Sequence, residues 1–313
     1  MEIAVVFQSI TVITVMIVIG ALLTRTFPFN DDTRKMFISL IVNVAMPCII
    51  LSSIFNVEME EDTFKMIALV FCLSIIINIM GIGIGWLFAT VFYRHSNKKN
   101  ELALLSGLGN TGFIGIPLCA ILLGPKGALF AAIFDAGVDL TIWTVGVIML
   151  QKNRKFAFQT LKSMINIPIA AIVIGLVAAY FHVKPPSTII LVTDQLAALA
   201  APLAMFYIGV LIMTVRRSKV REVGSKVMLP IFVKLILLPV FAAILMYFIR
   251  VEPLVIQTIL IQSMMPTLTL ASILFAKYSA DEDMGALTTV LSTIFALTTI
   301  PLMIYLMNLF IVY

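Results

Sequence analysis

The sequence predicts an all-α, polytopic membrane protein, and three observations carry that prediction. Hydrophobic residues make up 61% of the chain and charged residues 12%, with a mean hydropathy of +1.12, whereas soluble domains carry roughly 25% charged residues. Apolar stretches of about 20 residues recur along the whole length, which is what a helix needs to cross about 30 Å of hydrocarbon. The segments between them are short and polar, charged or rich in Gly and Pro. Ten spans follow, at approximately 3–24, 36–55, 64–92, 102–123, 128–150, 164–182, 189–213, 227–249, 254–276 and 286–311.

The first span is preceded by Glu2 and has neither a basic flank nor a small-residue cleavage site, so it reads as a retained helix and not as a signal peptide. The second carries Pro47 in Asn43-Val44-Ala45-Met46-Pro47. The third contains Asn78 and a small-residue pair, Gly81 and Gly85, whose spacing suits close helix packing better than a site. The fourth reads Ser106-Gly107-Leu108-Gly109-Asn110-Thr111-Gly112-Phe113-Ile114-Gly115-Ile116-Pro117. Four glycines, polar side chains and a proline in mid-span are the composition of an unwound segment, whose half-helix N-terminus would offer free N–H groups to an anion. A glycine pattern resembling a dinucleotide-binding fingerprint occurs here, but it needs a strand before it and has none.

The fifth span holds Asp135 and Asp139, four residues apart and so on one helical face. A carboxylate in mid-span costs about 2.5–3.5 kcal/mol on insertion scales, so it faces a cavity or a partner, and the pair suits proton or cation handling. The seventh span carries Pro202 after Ala198-Leu199-Ala200-Ala201, with Tyr207 beyond it. Lys234, in the eighth, is either a counter-ion for Asp135 or Asp139, a tether for a substrate carboxylate, or a side chain snorkelling to the interface. The ninth reads Gln262-Ser263-Met264-Met265-Pro266-Thr267-Leu268-Thr269, again a proline among amide and hydroxyl groups. Cys48, Cys72 and Cys119 sit in apolar spans without metal-type spacing and read as packing residues.

Basic residues divide unevenly between alternate loops. Arg25, Arg34, Lys35, Arg94, Lys98, Lys99, Lys152, Arg154, Lys155, Lys162, Arg216, Arg217, Lys219, Arg221, Lys226 and Lys277 follow odd-numbered spans. Only Lys65, Lys126, Lys184 and Arg250 follow even-numbered ones. The positive-inside rule then puts the odd loops in the cytoplasm and both termini outside. The long basic connection from Gln151 to Lys162 separates a first five-span half, 1–155, from a second, 156–313. Because five is odd, duplicated halves must be inverted relative to each other, and the prolines support this: Pro47 and Pro117 of the first half recur, in the same order and at nearly the same spacing, as Pro202 and Pro266 of the second. A proline removes a helix donor and frees nearby carbonyls, which lipid cannot satisfy, so the interrupted helices at Pro117 and Pro266 belong in the protein interior near a solute path.

Through Gly109-Asn110-Thr111-Gly112-Phe113-Ile114-Gly115-Ile116-Pro117, Asn43-Val44-Ala45-Met46-Pro47 and Lys234-Leu235 with Pro239, the chain resembles the auxin efflux carrier family, in its bacterial malate and malonate permease-like branch. The resemblance covers essentially the full length. It implies the fold of bile-acid symporters and certain sodium/proton antiporters, with broken helices 4 and 9 crossing. It also implies a scaffold of spans 1, 2, 6 and 7, often dimeric, and a mobile transport domain of spans 3, 4, 5, 8, 9 and 10, hence an elevator mechanism. By resemblance, the amide at Asn110 helps hold the substrate carboxylate, and a polar residue near the place of Asp139, four before Trp143, lies close by. Here the chain departs from the plant members in carrying carboxylates, which favours coupling to protons or sodium.

The expectation is a secondary transporter for a small mono- or dicarboxylate in a bacterial cytoplasmic membrane, working as a homodimer without a resident cofactor or metal. The substrate would be held by Asn110, Thr111, Gly112, Asn43, Pro117, Gln262, Met265, Pro266 and Thr267, with Asp135, Asp139 and Lys234 handling charge. The alternative is a sensor that binds the same solute without moving it. Catalysis is not expected: there is no G-x-S-x-G nucleophile or HExxH site, and His95 and His182 lie at loop ends. The net charge of +5 is explained by the loops and does not indicate nucleic acid.

Overall fold

The computed structural model describes residues 3–94, 96–151, 165–213 and 226–310. His95, the central connection 152–164 and the basic stretch 214–225 lie outside the described residues, and with them much of the charge that orients the chain. Among the described residues the structure is helical apart from turns, loops and one isolated backbone bridge. Six helical runs are long and apolar enough to cross a membrane: 32–55, 61–92, 111–150, 187–213, 226–248 and 282–306. Shorter apolar helices cover 11–23, 167–180 and 253–263.

In chain order the helices are α1 (Ile3–Leu23), α2 (Asp31–Leu40), α3 (Met46–Phe55), α4 (Glu61–Phe92), α5 (Lys99–Gly107), α6 (Ile116–Thr141) and α7 (Val147–Leu150). They continue as α8 (Ile167–Tyr180), α9 (Ser187–Ala197), α10 (Ala200–Met213), α11 (Leu238–Phe248), α12 (Pro253–Ser263), α13 (Ala271–Lys277) and α14 (Glu282–Phe310). Many are apolar on every side, and large side chains such as Val15, Ile19 and Leu22 on α1 and Val173, Ile174 and Val177 on α8 stand exposed. Exposed aliphatic rows of this kind are a lipid-facing surface. The starts of α2 and α8 are capped by asparagine side chains. Asn30 Oδ1 accepts the Thr33 N–H at 2.9 Å, and Asn166 Oδ1 accepts that of Ile169 at 2.9 Å.

Among the described residues four wide π turns interrupt the helices, at Ile41–Ala45, Thr111–Gly115, Ile142–Gly146 and Val233–Leu237. Three of them end two residues ahead of a proline: Pro47, Pro117 and Pro239. The physical reason is local. A helical proline ring clashes with the carbonyl four residues back, here Asn43, Phe113 or Leu235, which is the middle residue of each wide turn. Widening the turn moves that carbonyl aside, so the helix continues through the proline instead of ending there. Pro202 lies instead in the first turn of α10, after a turn at Ala198 and Leu199 that separates α9 from α10. The fourth and fifth predicted spans join through Gly124, whose φ of 73° is open to glycine, followed by Pro125.

Contacts divide the chain into two compact units. The first comprises residues 1–71, 111–136 and 165–213. Within it α1 packs along α10, and α3 packs on α8 and α9. The α1–α10 crossing is close because it is glycine on both sides: a Cβ on Gly20 would lie 2.3 Å from the Phe206 carbonyl oxygen, and one on Gly209 2.0 Å from that of Ile17. Polar contacts link α3 to α9, where Asp194 accepts from the Ser52 hydroxyl at 2.6 Å and from Asn56 Nδ2 at 3.1 Å.

The second unit comprises residues 72–110, 137–164 and 214–313. Its close contact is between α4 and α5. A Cβ on Gly81 would lie 2.9 Å from Gly107 Cα, and one on Gly85 2.4 Å from Ser106 Cβ, so the Gly81/Gly85 pair is a packing face, as its spacing suggests. At one end of this unit, just outside the fourth span, Lys98 pairs with Asp281. The Asp281 N–H donates to Glu101 Oε1 at 3.1 Å, and Asp281 Oδ1 caps α14 by accepting the Met284 N–H at 2.9 Å. Glu101 Oε2 is buried without a hydrogen-bond partner among the described residues.

Burial pushes the Glu101 carboxyl above its ordinary range, opposed by the Asp281 N–H and the Lys98 charge and helped by the Asp281 charge. A raised acid binds its proton more tightly in the folded chain, so its contribution favours folding at low pH and is lost as pH rises through the folded value. Glu101→Gln is therefore expected to raise the unfolding temperature near neutral pH. The gain should shrink as the medium is acidified, and a pH series of thermal unfolding curves checks it.

Candidate functional site

Two interrupted helices of the second unit meet in the middle of the chain's apolar spans. After α5 the backbone leaves the helix at Leu108, Gly109 and Asn110, and after α12 it does so from Met264 to Leu270. The two extended segments pair with each other through an antiparallel bridge between Gly109 and Thr267. The Asn110 N–H donates to the Pro266 carbonyl at 2.7 Å, and the Leu268 N–H donates to the Leu108 carbonyl at 3.2 Å. Side chains complete the junction. Thr267 Oγ1 donates to the Leu105 carbonyl at 3.1 Å, the Thr267 N–H donates to Ser292 Oγ at 3.0 Å, and Thr289 Oγ1 donates to the Leu268 carbonyl at 2.8 Å. Each of these would cost a few kcal/mol if left unmade inside a bilayer.

This changes where the fourth helix is broken. Pro117 lies not at the break but in α6, where the π turn Thr111–Gly115 accommodates it. The glycines, not the proline, open the chain, while Pro266 sits inside its break. The backbone N–H groups of Asn110 and Leu268 are taken by the crossing itself.

Asn110 supplies the junction's central polar side chain. It is 4% exposed, and its Nδ2 donates to Thr269 Oγ1 at 2.6 Å. One of its two amide N–H bonds is thus spent on holding the crossing. Gln262, Met265, Pro266 and Thr267 are all buried on the partner segment or the end of α12 leading into it. The Lys234 side chain is 2% exposed, and its Nζ donates to the Ser263 carbonyl at 3.4 Å. It is therefore buried and does not snorkel. Its charge lies at the C-terminal residue of half-helix α12, where a cation offsets the unsatisfied carbonyls and the negative end of the helix dipole.

Of the remaining predicted residues, Thr111, Gly112, Pro117, Asn43 and Asp135 lie in the first unit, and Asn78 and Asp139 in the second. Thr111 Oγ1 donates to Asp135 Oδ1 at 2.5 Å, and a Cβ on Gly112 would lie 2.8 Å from Asp135 Oδ2 and 2.9 Å from Met46 Cε. Gly112 thus gives the carboxylate its place against the start of the second half-helix. Asn43 does not join this group: it is exposed on the π turn ahead of Pro47 and donates to Ser39 Oγ at 3.0 Å in its own helix. Asn78 spends its amide on the Ser74 carbonyl at 2.7 Å. Asp139 is half-buried on α6, and Lys277 Nζ lies 5.3 Å from the ring centre of Trp143. An open cleft of about 530 Å³ in the first unit is lined by residues of 54–60 and 179–185, among them Asn56, Glu58, His182 and Lys184, and contains none of the predicted site residues.

Sequence reasoning passed over Ser292 and Thr289, which look like any hydroxyls in a membrane helix, and Asp194, whose only signal is a lone acid in an apolar run. It gave little weight to Tyr207, whose ring is fully buried among Phe29, Phe37 and Phe113.

Comparison with known proteins gives one family. The profile of a family described as membrane transport protein matches residues 5–304. An uncharacterised transporter of Methanothermobacter thermautotrophicus is 22% identical over 296 residues, covering 94% of this chain and 96% of the relative. A second uncharacterised transporter, from Methanocaldococcus jannaschii, is 24% identical over 308 residues, covering 94% and 97%. A candidate malonate transporter of Rhizobium meliloti is 22% identical over 312 residues, covering 94% and 93%.

Proposed function

Because the chain belongs to the membrane transport protein family, that of the auxin efflux carriers, we propose that it is a secondary transporter carrying a small carboxylate across the membrane by alternating access. The observation that carries the reading is the crossing of two interrupted helices at Gly109 and Thr267, with the Asn110 amide buried at it. A continuous helix is the cheaper way to span lipid, and a crossing of extended segments belongs where a solute path runs. The malonate named for the Rhizobium meliloti relative fits an amide donor at the crossing and makes it the first substrate to try.

In this reading the ten spans form two inverted five-helix repeats, 1–155 and 156–313, with both termini outside a bacterial cytoplasmic membrane. Spans 1, 2, 6 and 7 are the scaffold of a homodimer, and spans 3, 4, 5, 8, 9 and 10 move against it as an elevator. In the division of contacts α1, α2, α3, α8, α9 and α10 fall in the first unit and α11 to α14 in the second, while residues 111–136, which this reading gives to the moving part, fall in the first.

The carboxylate of Asp135 stands at the start of the half-helix where an anion would be drawn. An anion and Asp135 repel each other unless a proton or a sodium ion accompanies the substrate, which makes coupling part of the proposal. Uptake of radiolabelled malonate into proteoliposomes, with imposed proton or sodium gradients, tests both parts. Accumulation against a gradient supports a carrier, and binding without accumulation would leave a sensor instead. Asp135→Asn is expected to flatten the pH or sodium dependence of uptake, and an unchanged profile removes Asp135 from coupling.

A further inference from the structure

At one end of the second unit the acids Glu101 and Asp281 join two helices. Glu101 stands in the first turn of α5, and Asp281 lies immediately ahead of α14. Glu101 Oε1 accepts the Asp281 N–H at 3.1 Å, while Glu101 Oε2 is buried with no hydrogen-bond partner among the described residues. Lys98 pairs with Asp281, so two carboxylates share one ammonium and one carboxylate oxygen has nothing to stabilise its charge. Glu101, Lys98 and Asp281 are each only partly buried, so water reaches the group.

Of the charged groups on the elements around α5, Lys98 and Asp281 act on Glu101. Lys99 and Lys226 are half-buried, Lys277, Glu282 and Asp283 are exposed, and the hydrogen bond of Glu101 is made to none of them. Lys234, on the π turn packed against α5, donates to Ser263 instead. The apolar α7 and the Gly81/Gly85 face of α4 bring no charge.

Both helices run from this pair to the crossing, and each carries its contacts on one face. On α5, Leu105 lies one turn beyond Glu101 and its carbonyl accepts from the Thr267 hydroxyl, and the Leu108 carbonyl, one turn further on, accepts the Leu268 N–H. Asp281 caps α14, and Gly285, Thr289 and Ser292 follow at helical spacing. Gly285 lets α14 lie against the start of α13, since an added Cβ would be 3.0 Å from the Ser272 nitrogen. Thr289 Oγ1 then donates to the Leu268 carbonyl, and Ser292 Oγ accepts the Thr267 N–H. The crossing segment is thus gripped between two rods whose starts are joined by the contact of Glu101 with Asp281.

We propose that Glu101 and Asp281 form a proton-operated clasp: with a proton on Glu101 the starts of α5 and α14 stay together and the crossing is rigid, and loss of that proton opens the clasp and loosens the crossing. The clasp is independent of the solute carried and of Asp135, which lies in the first unit. It makes the mobility of the crossing a function of pH. The direction follows from linkage. Burial raises the Glu101 carboxyl in the closed arrangement, and release to water returns it to its ordinary range. The closed clasp is therefore favoured in acid and lost as pH rises through the raised value.

Amide hydrogen exchange of the full chain in detergent, corrected for the intrinsic effect of pH, tests this on peptides that contain Asn110 and Leu268, whose N–H groups bond across the crossing. Wild type is expected to exchange there roughly tenfold faster above the transition than below it, because opening follows the ratio of proton affinities in the open and closed arrangements. Glu101→Gln keeps the acceptor and stands in for the protonated acid, so it should stay slow at every pH. Glu101→Ala, which lacks the acceptor, should be fast at every pH. An infrared titration should show a protonated carboxyl in wild type, persisting above the ordinary range of glutamic acid, that Glu101→Gln lacks. Wild-type exchange that ignores pH overturns the clasp. So does a Glu101→Gln protein that keeps the wild-type pH dependence or the infrared band.

Discussion

Alanine at Asn110 is expected to bring carboxylate uptake close to background. A hydrogen bond from an amide to an anion contributes about 1.5–3 kcal/mol, so losing it corresponds to roughly a ten- to hundredfold fall in the uptake rate at low substrate. Asn110 also bonds Thr269 across the crossing, so lost activity alone would not separate binding from loosened structure. Thr269→Val supplies the separation, because it deletes the acceptor and leaves the amide. The two variants are expected to lower the unfolding temperature to a similar degree, each losing one neutral hydrogen bond of about 1 kcal/mol, while Thr269→Val retains most of its uptake. Equal losses of uptake in both would reduce Asn110 to a strut of the crossing, and full uptake in Asn110→Ala would remove it from the site.

The second large effect concerns assembly. Gly209→Val is expected to abolish the folded protein or lower its yield severely, because the new Cβ would lie 2.0 Å from the Ile17 carbonyl oxygen and 2.6 Å from the Ala21 nitrogen. Both are backbone atoms and cannot turn aside, so α1 and α10 must separate along their whole contact. Overpacking of flexible side chains costs typically about 1–3 kcal/mol, and a clash with rigid backbone exceeds that. Gly83, with nothing within 4 Å of its Cβ position, is the internal control. Gly83→Ala should be neutral or stabilise by up to about 1 kcal/mol through helix propensity. Monodisperse yield in detergent and thermal unfolding read both, and a well-folded Gly209→Val would mean that α1 and α10 are not in contact.

The membrane class and the helical elements were legible because hydropathy sums along a segment and needs no partner. The Gly81/Gly85 face was legible too, since small residues four apart fall on one side of a helix. Gly20 and Gly209 carried no such signal: each is a single glycine, and only the meeting of α1 with α10 makes them necessary. The break in the fourth helix was found but misplaced. Sequence reasoning attached it to Pro117, whereas the chain leaves the helix at Leu108–Asn110, because a π turn lets the proline remain inside α6. Thr267, Ser292 and Thr289 hold the crossing from separate helices, and no local pattern says which of many intramembrane hydroxyls will do so. Tyr207 reads from sequence as an ordinary membrane aromatic, and only in three dimensions does its hydroxyl lie buried without a hydrogen-bond partner among the described residues.

A wide turn contains one more residue than the α-helix it replaces, and each surplus residue rotates everything downstream by about 100° around the axis. The lipid-facing and protein-facing stripes before Ile41 and after Ala45 are therefore out of phase, as are those flanking Val233–Leu237. Shortening one of these turns by a residue while exchanging its proline for alanine would yield a straighter rod whose far half presents the wrong side to its neighbours. The extra residue of each wide turn thus sets which side the rest of the helix presents, and it cannot be removed without turning that helix away from its contacts.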